Sequence, residues 1–136
     1  MITANDKTFS FKGYEAIDAK QLQTFEYEYA GRPIELLIET DEFTAVCPFS
    51  GLPDFGSVKV IYIPTKDCIE LRSFKYYLQS YRDVGIYYEH AVNRMLEDLV
   101  NCCNPEKMSI ELKYKARGGM YTWATATYPG TIEKKL

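Results

Sequence analysis

The stretch SVKVIYIPTKDCIELRSFKYYLQSY, residues 57–81, contains the change of sequence period that decides the fold class. Its first seven residues are rich in β-branched side chains and predict a strand, which ends at a turn over residues 64–67. Apolar residues then recur with the i, i+3, i+4, i+7 spacing of an amphipathic helix, at Phe74, Tyr77, Leu78 and Tyr81. Strand structure is therefore followed by helical structure near the middle of the chain.

Extended structure is also predicted before this stretch. Aromatic and acidic residues alternate over residues 24–30, and an apolar run occupies residues 34–39 after a turn, which together predict a β-hairpin. A further extended segment is predicted at residues 42–47. Residues 1–23 show no strong period, so we expect them to form an extended, loosely packed arm.

A second helix and two more strands are predicted towards the C-terminus. The helix covers about residues 87–103, and Asn104-Pro105 ends it because proline often follows a helix C-terminus. Its predicted buried face consists of Val92, Met95, Leu96, Leu99 and Cys103. Strands at residues 107–115 and 120–128 follow. The core order is ββααββ, which predicts an antiparallel sheet with two helices on one face, in the α+β class.

The composition narrows the functional classes. With 136 residues, of which 46% are hydrophobic, residues 1–136 are predicted to form a single domain with its own core. The net charge of −3 disfavours direct nucleic-acid binding, which normally needs a basic surface. No apolar run is long enough to span a membrane and the N-terminus does not resemble a signal peptide, so a cytoplasmic location is expected.

The four cysteines do not form a metal-binding pattern, because none belongs to a C-x-x-C pair. No metal site is therefore predicted. Cys68, Cys102 and Cys103 are interpreted as reduced structural thiols, which suits a reducing compartment. Cys47 differs from them because it lies where a predicted strand meets a loop.

That loop, VCPFSGLPDFG at residues 46–56, combines a thiol with a carboxylate. Its prolines, serine and glycine favour tight turns, so the loop is expected to hold one shape and to return Asp54 to the side of Cys47. A cysteine beside an acid is a candidate for nucleophilic catalysis with local proton transfer. The alternative is a buried structural cysteine followed by an acidic turn residue.

Two further carboxylates have both a structural and a functional interpretation. Glu89 lies in register with the predicted buried face of the second helix, so it is expected to point along that face. There it is either satisfied by the N–H groups of the helix N-terminus or accepts the N–H donors of a purine-like base. Glu70, directly before the first helix, either caps that helix or holds a ligand.

Basic residues occupy a second stripe of the first helix, at Arg72, Lys75 and Arg82. Such a stripe is usually a solvated helix face, but arginine also binds phosphate oxygens bidentately. Arg117 precedes two glycines that allow close backbone approach, and it could join a phosphate site. The chain contains no glycine-rich dinucleotide fingerprint, so side chains would hold any dinucleotide.

Four ordered motifs together resemble those of a known family. They are residues 46–56 (VCPFSGLPDFG), 70–77 (ELRSFKYY), 85–89 (GIYYE) and 117–119 (RGG). The resemblance is to the NADPH-dependent 7-cyano-7-deazaguanine reductases of queuosine biosynthesis, the QueF type, and it covers about residues 24–130. It implies the tunnelling fold (T-fold), whose element order is the ββααββ order predicted above. Short members of the family form homodecamers of two stacked pentamers with interfacial sites.

The resemblance also implies a reaction and its residues. Cys47 would attack the nitrile carbon to form a covalent thioimide, Asp54 would move the thiol proton, and two NADPH molecules would supply hydrides to give the aminomethyl product. The residues implied for the substrate pocket are Ile69, Glu70, Leu71, Tyr88 and Glu89. Those implied for the phosphates of NADPH are Arg72, Lys75 and Arg117.

The sequence departs from the family pattern at two positions. Arg72 stands where lysine is usual, and Tyr88 stands where many members have histidine. A phenol is a poor proton shuttle near neutral pH, which leaves the later proton transfers without an assigned donor. Two alternative functions are an amidinotransferase of the same fold acting on deazaguanine in tRNA, and a non-catalytic module that binds a purine or pterin.

Overall fold

The computed structural model describes residues 2–4, 7–116 and 118–133 of the protein. In chain order, its strands and α-helices are β1 (Ile2–Ala4), β2 (Lys7–Phe9), β3 (Thr24–Glu26), β4 (Leu36–Val46), β5 (Pro53–Ile63), β6 (Asp67–Ile69), α1 (Leu71–Gln79), α2 (Tyr88–Cys103), β7 (Lys107–Tyr114) and β8 (Trp123–Tyr128). Two single-turn 3₁₀ helices lie between β2 and β3, at Tyr14–Ala16 and Ala19–Gln21.

The main sheet is antiparallel throughout and has the strand order β4-β5-β7-β8. Both helices fall between β5 and β7 along the chain, so the predicted ββααββ order is confirmed. A β-bulge between Thr40 and Phe43 shifts the register of β4 against β5. The two predicted segments at 34–39 and 42–47 are thus one continuous strand.

The helices cover one face of this sheet, and the core lies between the two layers. Alternate residues of β5 and β7 point into it, so that Val58, Val60, Ile110 and Leu112 are all buried. The predicted buried stripes of both helices are confirmed, at Phe74, Tyr77, Leu78, Tyr81, Val92, Met95, Leu96, Leu99 and Cys103. Burying one such large side chain stabilises the fold by about 1.5–3 kcal/mol. Neither helix in the described ranges has the length and apolar character that crossing a membrane requires.

The predicted hairpin between residues 24–30 and 34–39 is wrong. β3 is only three residues long and pairs with β6, not with β4. The aromatic residues that suggested a longer strand belong to a turn, where the hydroxyl of Tyr27 donates to the carbonyl of Arg32 at 2.8 Å. The guanidinium of Arg32 lies 4.9 Å from the ring centroid of Tyr29. These local contacts use the aromatic surface that an extended strand would have presented to a sheet.

Residues 12–23 also differ from the extended arm that the sequence predicts. Ile17 is 4% exposed and belongs to the main core. The backbone N–H of Asp18 donates to the hydroxyl of Ser80 at 2.9 Å, and Lys12 forms a parallel bridge with Val84. One buried isoleucine and a few backbone hydrogen bonds attach this segment to the core. Single 3₁₀ turns give no periodic pattern, so the sequence did not predict this packing.

A close approach of backbone and side chain at Gly56 generates the first prediction. A Cβ atom at this position would collide with the backbone carbonyl oxygen of Lys113 and would lie 2.7 Å from the ring of Tyr88. Gly56→Ala should therefore lower the free energy of unfolding by about 2–3 kcal/mol, because neither the neighbouring central strand nor the buried ring of Tyr88 has room to move away from the added methyl group. Urea unfolding measures this change.

The matched control is Ser57→Ala, at the next position of the same strand. Because Ser57 points to the opposite, half-buried side, its truncation should change the free energy of unfolding by less than about 1 kcal/mol. Equal losses in the two variants would contradict the close approach at Gly56.

Candidate active site

A tight loop joins β4 to β5 and carries the candidate nucleophile at its first position. The N–H of Cys47 donates to the carbonyl of Leu52 at 2.9 Å, and the N–H of Gly51 donates to the carbonyl of Cys47 at 2.8 Å. Gly51 has a φ of 72°, the left-handed conformation that glycine adopts without strain. The loop is thus closed by its own backbone, and Cys47 is half-buried at its base.

The hairpin brings Cys47 and Asp54 to the same end of the sheet. Asp54 pairs with Ala45, and both are buried on the helix-covered face, where Asp54 is only 7% exposed. Cys47 directly follows β4, and its N–H donates to the carbonyl of Leu52, two residues before Asp54. Diagonal neighbours across two strands lie about 7–8 Å apart, so one small substrate group can contact both residues.

A parallel backbone bridge brings the start of α2 to this hairpin. The N–H of Val46 donates to the carbonyl of Val84 at 2.9 Å, and the N–H of Ile86 donates to the carbonyl of Val46 at 3.1 Å. The two residues that open α2, Tyr88 and Glu89, follow directly. The thiol, the Asp54 carboxyl and the Glu89 carboxylate therefore lie at one end of the sheet.

Tyr88 is buried beneath this site, where the resemblance implies a pocket residue. It is 1% exposed, and its ring centroid lies 5.2 Å from that of Phe43 and 4.1 Å from that of Tyr114. Its hydroxyl donates to the backbone carbonyl of Asp54 at 3.3 Å. The phenol thus supports the strand that carries Asp54, and its packing leaves it little access to solvent.

The prediction that Glu89 points along the buried face of α2 is wrong, because Glu89 is exposed and Tyr88 takes the buried position. Both residues fall within the wide apolar stripe by spacing alone. The aromatic ring gains from burial, whereas a carboxylate loses hydration, so the register turns Tyr88 inward.

Glu89 nevertheless has a fixed partner, since its Oε1 accepts a hydrogen bond from the hydroxyl of Tyr114 at 2.9 Å. The same hydroxyl accepts the backbone N–H of Tyr88 at 2.8 Å. Burial, more than any other cause, raises the pKa of Tyr114, so the phenol stays protonated at neutral pH. The sequence could not identify Tyr114 as a site residue, because it is one of the regularly alternating apolar residues of β7.

Of the two roles predicted for Glu70, the structure shows the capping of α1 within this chain. It is the N-cap residue of α1, and its two carboxylate oxygens accept the backbone N–H groups of Ser73 at 2.8 Å and Arg72 at 3.0 Å. These bonds satisfy two of the four N–H groups that a helix start leaves without partners. Of its neighbours in the chain, Ile69 is buried and Leu71 is 58% exposed.

Two of the three residues implied for the cofactor lie on α1. Arg72 and Lys75 are exposed on its first two turns, and among the described residues neither forms a salt bridge. Lys75 and Leu71 line a groove of about 230 Å³ between α1 and β4. Arg117 lies outside the described residues, although the following glycines have φ values of 57° and 78° that permit a tight turn.

The first turn of α1 and the hairpin residues are separated within one chain. Leu78, near the end of α1, lines a groove with Val46 and Pro53 of the hairpin. Leu71, at the start of α1, lines a groove with Ile38 and Glu39, further along β4. A helix of nine residues is about 13 Å long, so the turn that carries Glu70 and Arg72 lies about one helix length from the end of α1 that borders the hairpin. Within the described ranges, no three His, Cys, Asp or Glu side chains are grouped to hold a metal ion.

Comparison with known proteins shows the family of this chain. The family model described as "QueF-like protein" matches residues 53–131, more than half of the chain. The chain belongs to the QueF-like family. Membership accounts for the order of the two strands, two helices and two strands, and the T-fold predicted from the motifs is confirmed.

Relatives of this family member are similar over most of their length. One, named NADPH-dependent 7-cyano-7-deazaguanine reductase, from Caldanaerobacter subterraneus subsp. tengcongensis, is 46% identical over 123 residues, which cover 90% of this chain and 92% of that protein. Another of the same name, from Chloroherpeton thalassium, is 49% identical over 107 residues, which cover 79% of this chain and 92% of that protein. The crystal structure of an archaeosine synthase QueF-Like in the apo form superposes with a TM-score of 0.64 and 26% identity, covering 72% of this chain and 94% of that one.

The capping role of Glu70 generates a prediction about pH. The backbone hydrogen bonds from Ser73 and, second, from Arg72 lower the pKa of Glu70. A carboxylate of this kind stabilises the fold above its unfolded pKa of about 4.3, and that contribution is lost as the pH falls through the lowered folded-state pKa. Glu70→Gln should therefore melt at a lower temperature than wild type at about pH 7, and the difference between the two melting temperatures should shrink as the pH is lowered towards about 3.

Thermal melts followed by circular dichroism test this expectation, with Glu35→Gln as an exposed glutamate outside a helix start for comparison. A difference between Glu70→Gln and wild type that is the same at both pH values would contradict the charged cap.

Proposed function

We propose that this protein catalyses the NADPH-dependent reduction of the nitrile of 7-cyano-7-deazaguanine to the aminomethyl group, a step of queuosine biosynthesis for tRNA modification. The observation that carries the proposal is the grouping of Cys47, Asp54 and Glu89 at one end of the sheet, in a chain 46% identical to a reductase of that name. The grouping supplies a nucleophile, a proton carrier and a carboxylate for the base, the three functions that a covalent nitrile reduction needs.

The first step is the addition of the Cys47 thiol to the nitrile. A bond forms between Sγ and the nitrile carbon, one π bond of the nitrile becomes a lone pair on nitrogen, and the thiol proton passes to that nitrogen through the Asp54 carboxylate. A free thiolate beside a carboxylate is electrostatically unfavourable, so the proton leaves sulfur as the carbon–sulfur bond forms. The product is a thioimide attached to Cys47.

NADPH supplies hydride, one equivalent to the thioimide carbon and a second to the imine that remains after the carbon–sulfur bond breaks. The chain must hold the imine in place between these two events and return a proton to nitrogen and to sulfur. Asp54, which is almost fully buried, is the carboxyl placed to carry these protons. Tyr88 is unsuited to this task because its hydroxyl donates to the backbone carbonyl of Asp54.

Residues at the two ends of the fold fit the two ligands. The exposed carboxylate of Glu89 can accept two N–H groups from the edge of the deazaguanine base, and Ile69, Glu70 and Leu71 belong to the same proposed pocket. Arg72 and Lys75 are exposed cations on the first two turns of α1, where the helix dipole also favours anions, and within residues 2–4, 7–116 and 118–133 neither forms a salt bridge. Together with Arg117, they fit the phosphates of NADPH.

The distance between these groups supports a site built by two chains. We propose the homodecamer of two stacked pentamers, in which Cys47 of one protomer faces α1 of its partner. The two edge strands of the main sheet, β4 and β8, have no strand beside them on their outer edges in the described part of the chain, so each can pair with another copy. The reduced thiol and the need for NADPH suit the cytoplasm, which we propose as the location.

The alternative functions receive less support. The archaeosine synthase structure shares 26% identity with this chain, against 42–49% for the reductases. The ELRSFK segment at residues 70–75 and the net charge of −3 also favour a reductase over an enzyme that binds tRNA. A non-catalytic binding module would need neither Cys47 nor Asp54.

Formation of the thioimide tests the proposed reaction directly. Incubation with 7-cyano-7-deazaguanine in the absence of NADPH should raise the mass of the protein by that of one substrate per chain, because addition breaks no bond to a leaving group. Intact-protein mass spectrometry should show no increase for Cys47→Ala. Cys102→Ala, which removes another half-buried thiol, should still form the adduct. An unmodified wild-type protein at saturating substrate would contradict the proposal.

The cofactor site is tested by Arg72→Ala. Loss of a charge-assisted bond to phosphate should lower kcat/KM for NADPH by roughly 10- to 100-fold, while adduct formation without NADPH stays unchanged. Arg82→Ala is the matched control, since Arg82 is an exposed arginine just after the other end of α1. Nitrile-dependent oxidation of NADPH at 340 nm measures both.

The same variant tests the shared site when it is mixed with Cys47→Ala. If one site takes Cys47 and Arg72 from different chains, subunit exchange between the two variants should form sites with both residues intact and raise kcat/KM for NADPH above that of either variant alone. Mixtures that exchange subunits without this gain would contradict an interfacial site.

A further inference from the structure

The hydroxyl of Tyr114 lies between two groups of the first turn of α2. It donates to Glu89 Oε1 at 2.9 Å and accepts the backbone N–H of Tyr88 at 2.8 Å. That N–H is one of the four that a helix start leaves without an intrahelical partner, and the N-cap residue Tyr87 offers no side-chain acceptor. A residue of β7 thus replaces the missing cap and holds the carboxylate at the same time.

The position of Tyr114 is itself fixed by the sheet. It pairs with Gly56 of β5, two residues beyond Asp54, and its ring meets that of Tyr88 edge-on at 4.1 Å and 79°. The missing side chain at Gly56 leaves the space in which Tyr88 lies. Tyr114 therefore connects the strand that carries Asp54 to the helix turn that carries Glu89.

We propose that Tyr114 is a positioning residue that orients the Glu89 carboxylate for the deazaguanine base, an inference that rests on the function proposed above. An ionised carboxylate has about four acceptor sites, and the phenol occupies one of them on Oε1. The other oxygen and the remaining lone pair stay available to two adjacent N–H donors, which is the pattern on the edge of a guanine-like base. The orientation of the carboxylate is then set before the base arrives.

Preorganisation matters at this position because Glu89 is exposed. An exposed glutamate samples several rotamers, and holding one of them on binding lowers affinity by roughly 3- to 10-fold for a side chain of this kind. The hydrogen bond from Tyr114 fixes the Glu89 rotamer before the base binds, so this loss of affinity does not occur on binding. It acts on recognition of the base and leaves the steps at Cys47 unchanged.

The decisive variant is Tyr114→Phe in the full chain, which keeps the ring and removes the hydroxyl. KM for 7-cyano-7-deazaguanine should rise about 3- to 10-fold, whereas kcat at saturating substrate should stay within about twofold of wild type. Tyr81→Phe is the matched control: its hydroxyl lies 2.8 Å from that of Tyr77 between the helices, and its loss should leave KM unchanged.

Two further variants distinguish a role of Tyr114 in positioning Glu89 from a general role in stabilising the fold. In a Glu89→Ala background, Tyr114→Phe should have no additional effect on KM, because the group through which it acts is absent. With 4-aminophenylalanine installed at position 114, the donor to Glu89 is kept while the acceptor for the Tyr88 N–H is weakened. KM should then return towards the wild-type value.

The outcomes are distinct. An unchanged KM in Tyr114→Phe, or an equal further loss in the Glu89→Ala background, would overturn the role of Tyr114. If Tyr114→Phe does not fold, the 4-aminophenylalanine chain decides alone, and a raised KM there would overturn it. Wild-type protein without nitrile-dependent NADPH oxidation would instead refute the proposed function.

Discussion

The arrangement of the site depends on the backbone bridge between Val46 and the segment 84–86. Two hydrogen bonds, from Val46 N–H to Val84 O and from Ile86 N–H to Val46 O, fix the chain immediately before α2 against the end of β4. The hairpin and the start of the helix are distant in sequence, and this bridge sets their separation. Side chains from the hairpin and from α2 consequently lie together without a long loop between them.

Beneath the bridge, an aromatic layer determines how rigidly the site is held. The ring of Tyr88 contacts Phe43 at a tilt and Tyr114 edge to face, and it packs against the strand at Gly56. Aromatic pairs of this geometry stabilise by about 0.5–1.5 kcal/mol beyond the area they bury. These contacts connect strand β5 to helix α2, the two elements that carry Asp54 and Glu89.

The sequence was sufficient for the parts of the fold that have a strong period. The helical stripe from Phe74 to Tyr81 and the alternation over β7 both predicted buried faces correctly. Local contacts that leave no periodic pattern in the sequence were not predicted. Examples are the turn at Tyr27, which follows β3, and the burial of Ile17. Spacing also failed to choose between Tyr88 and Glu89 as the inward residue, because both fit a stripe about 100° wide and only burial energetics separates them.

The cap at the start of α1 has a thermodynamic consequence for any ligand that recruits Glu70. Both of its oxygens already accept N–H groups of the helix, so a ligand that captured them would compete with the first turn of α1 for the same acceptors. By linkage, anything that frays this turn would release Glu70 for binding, and binding would loosen the turn to the same extent. Arg72 belongs to that turn, so a ligand that captured Glu70 would also change how well Arg72 is ordered.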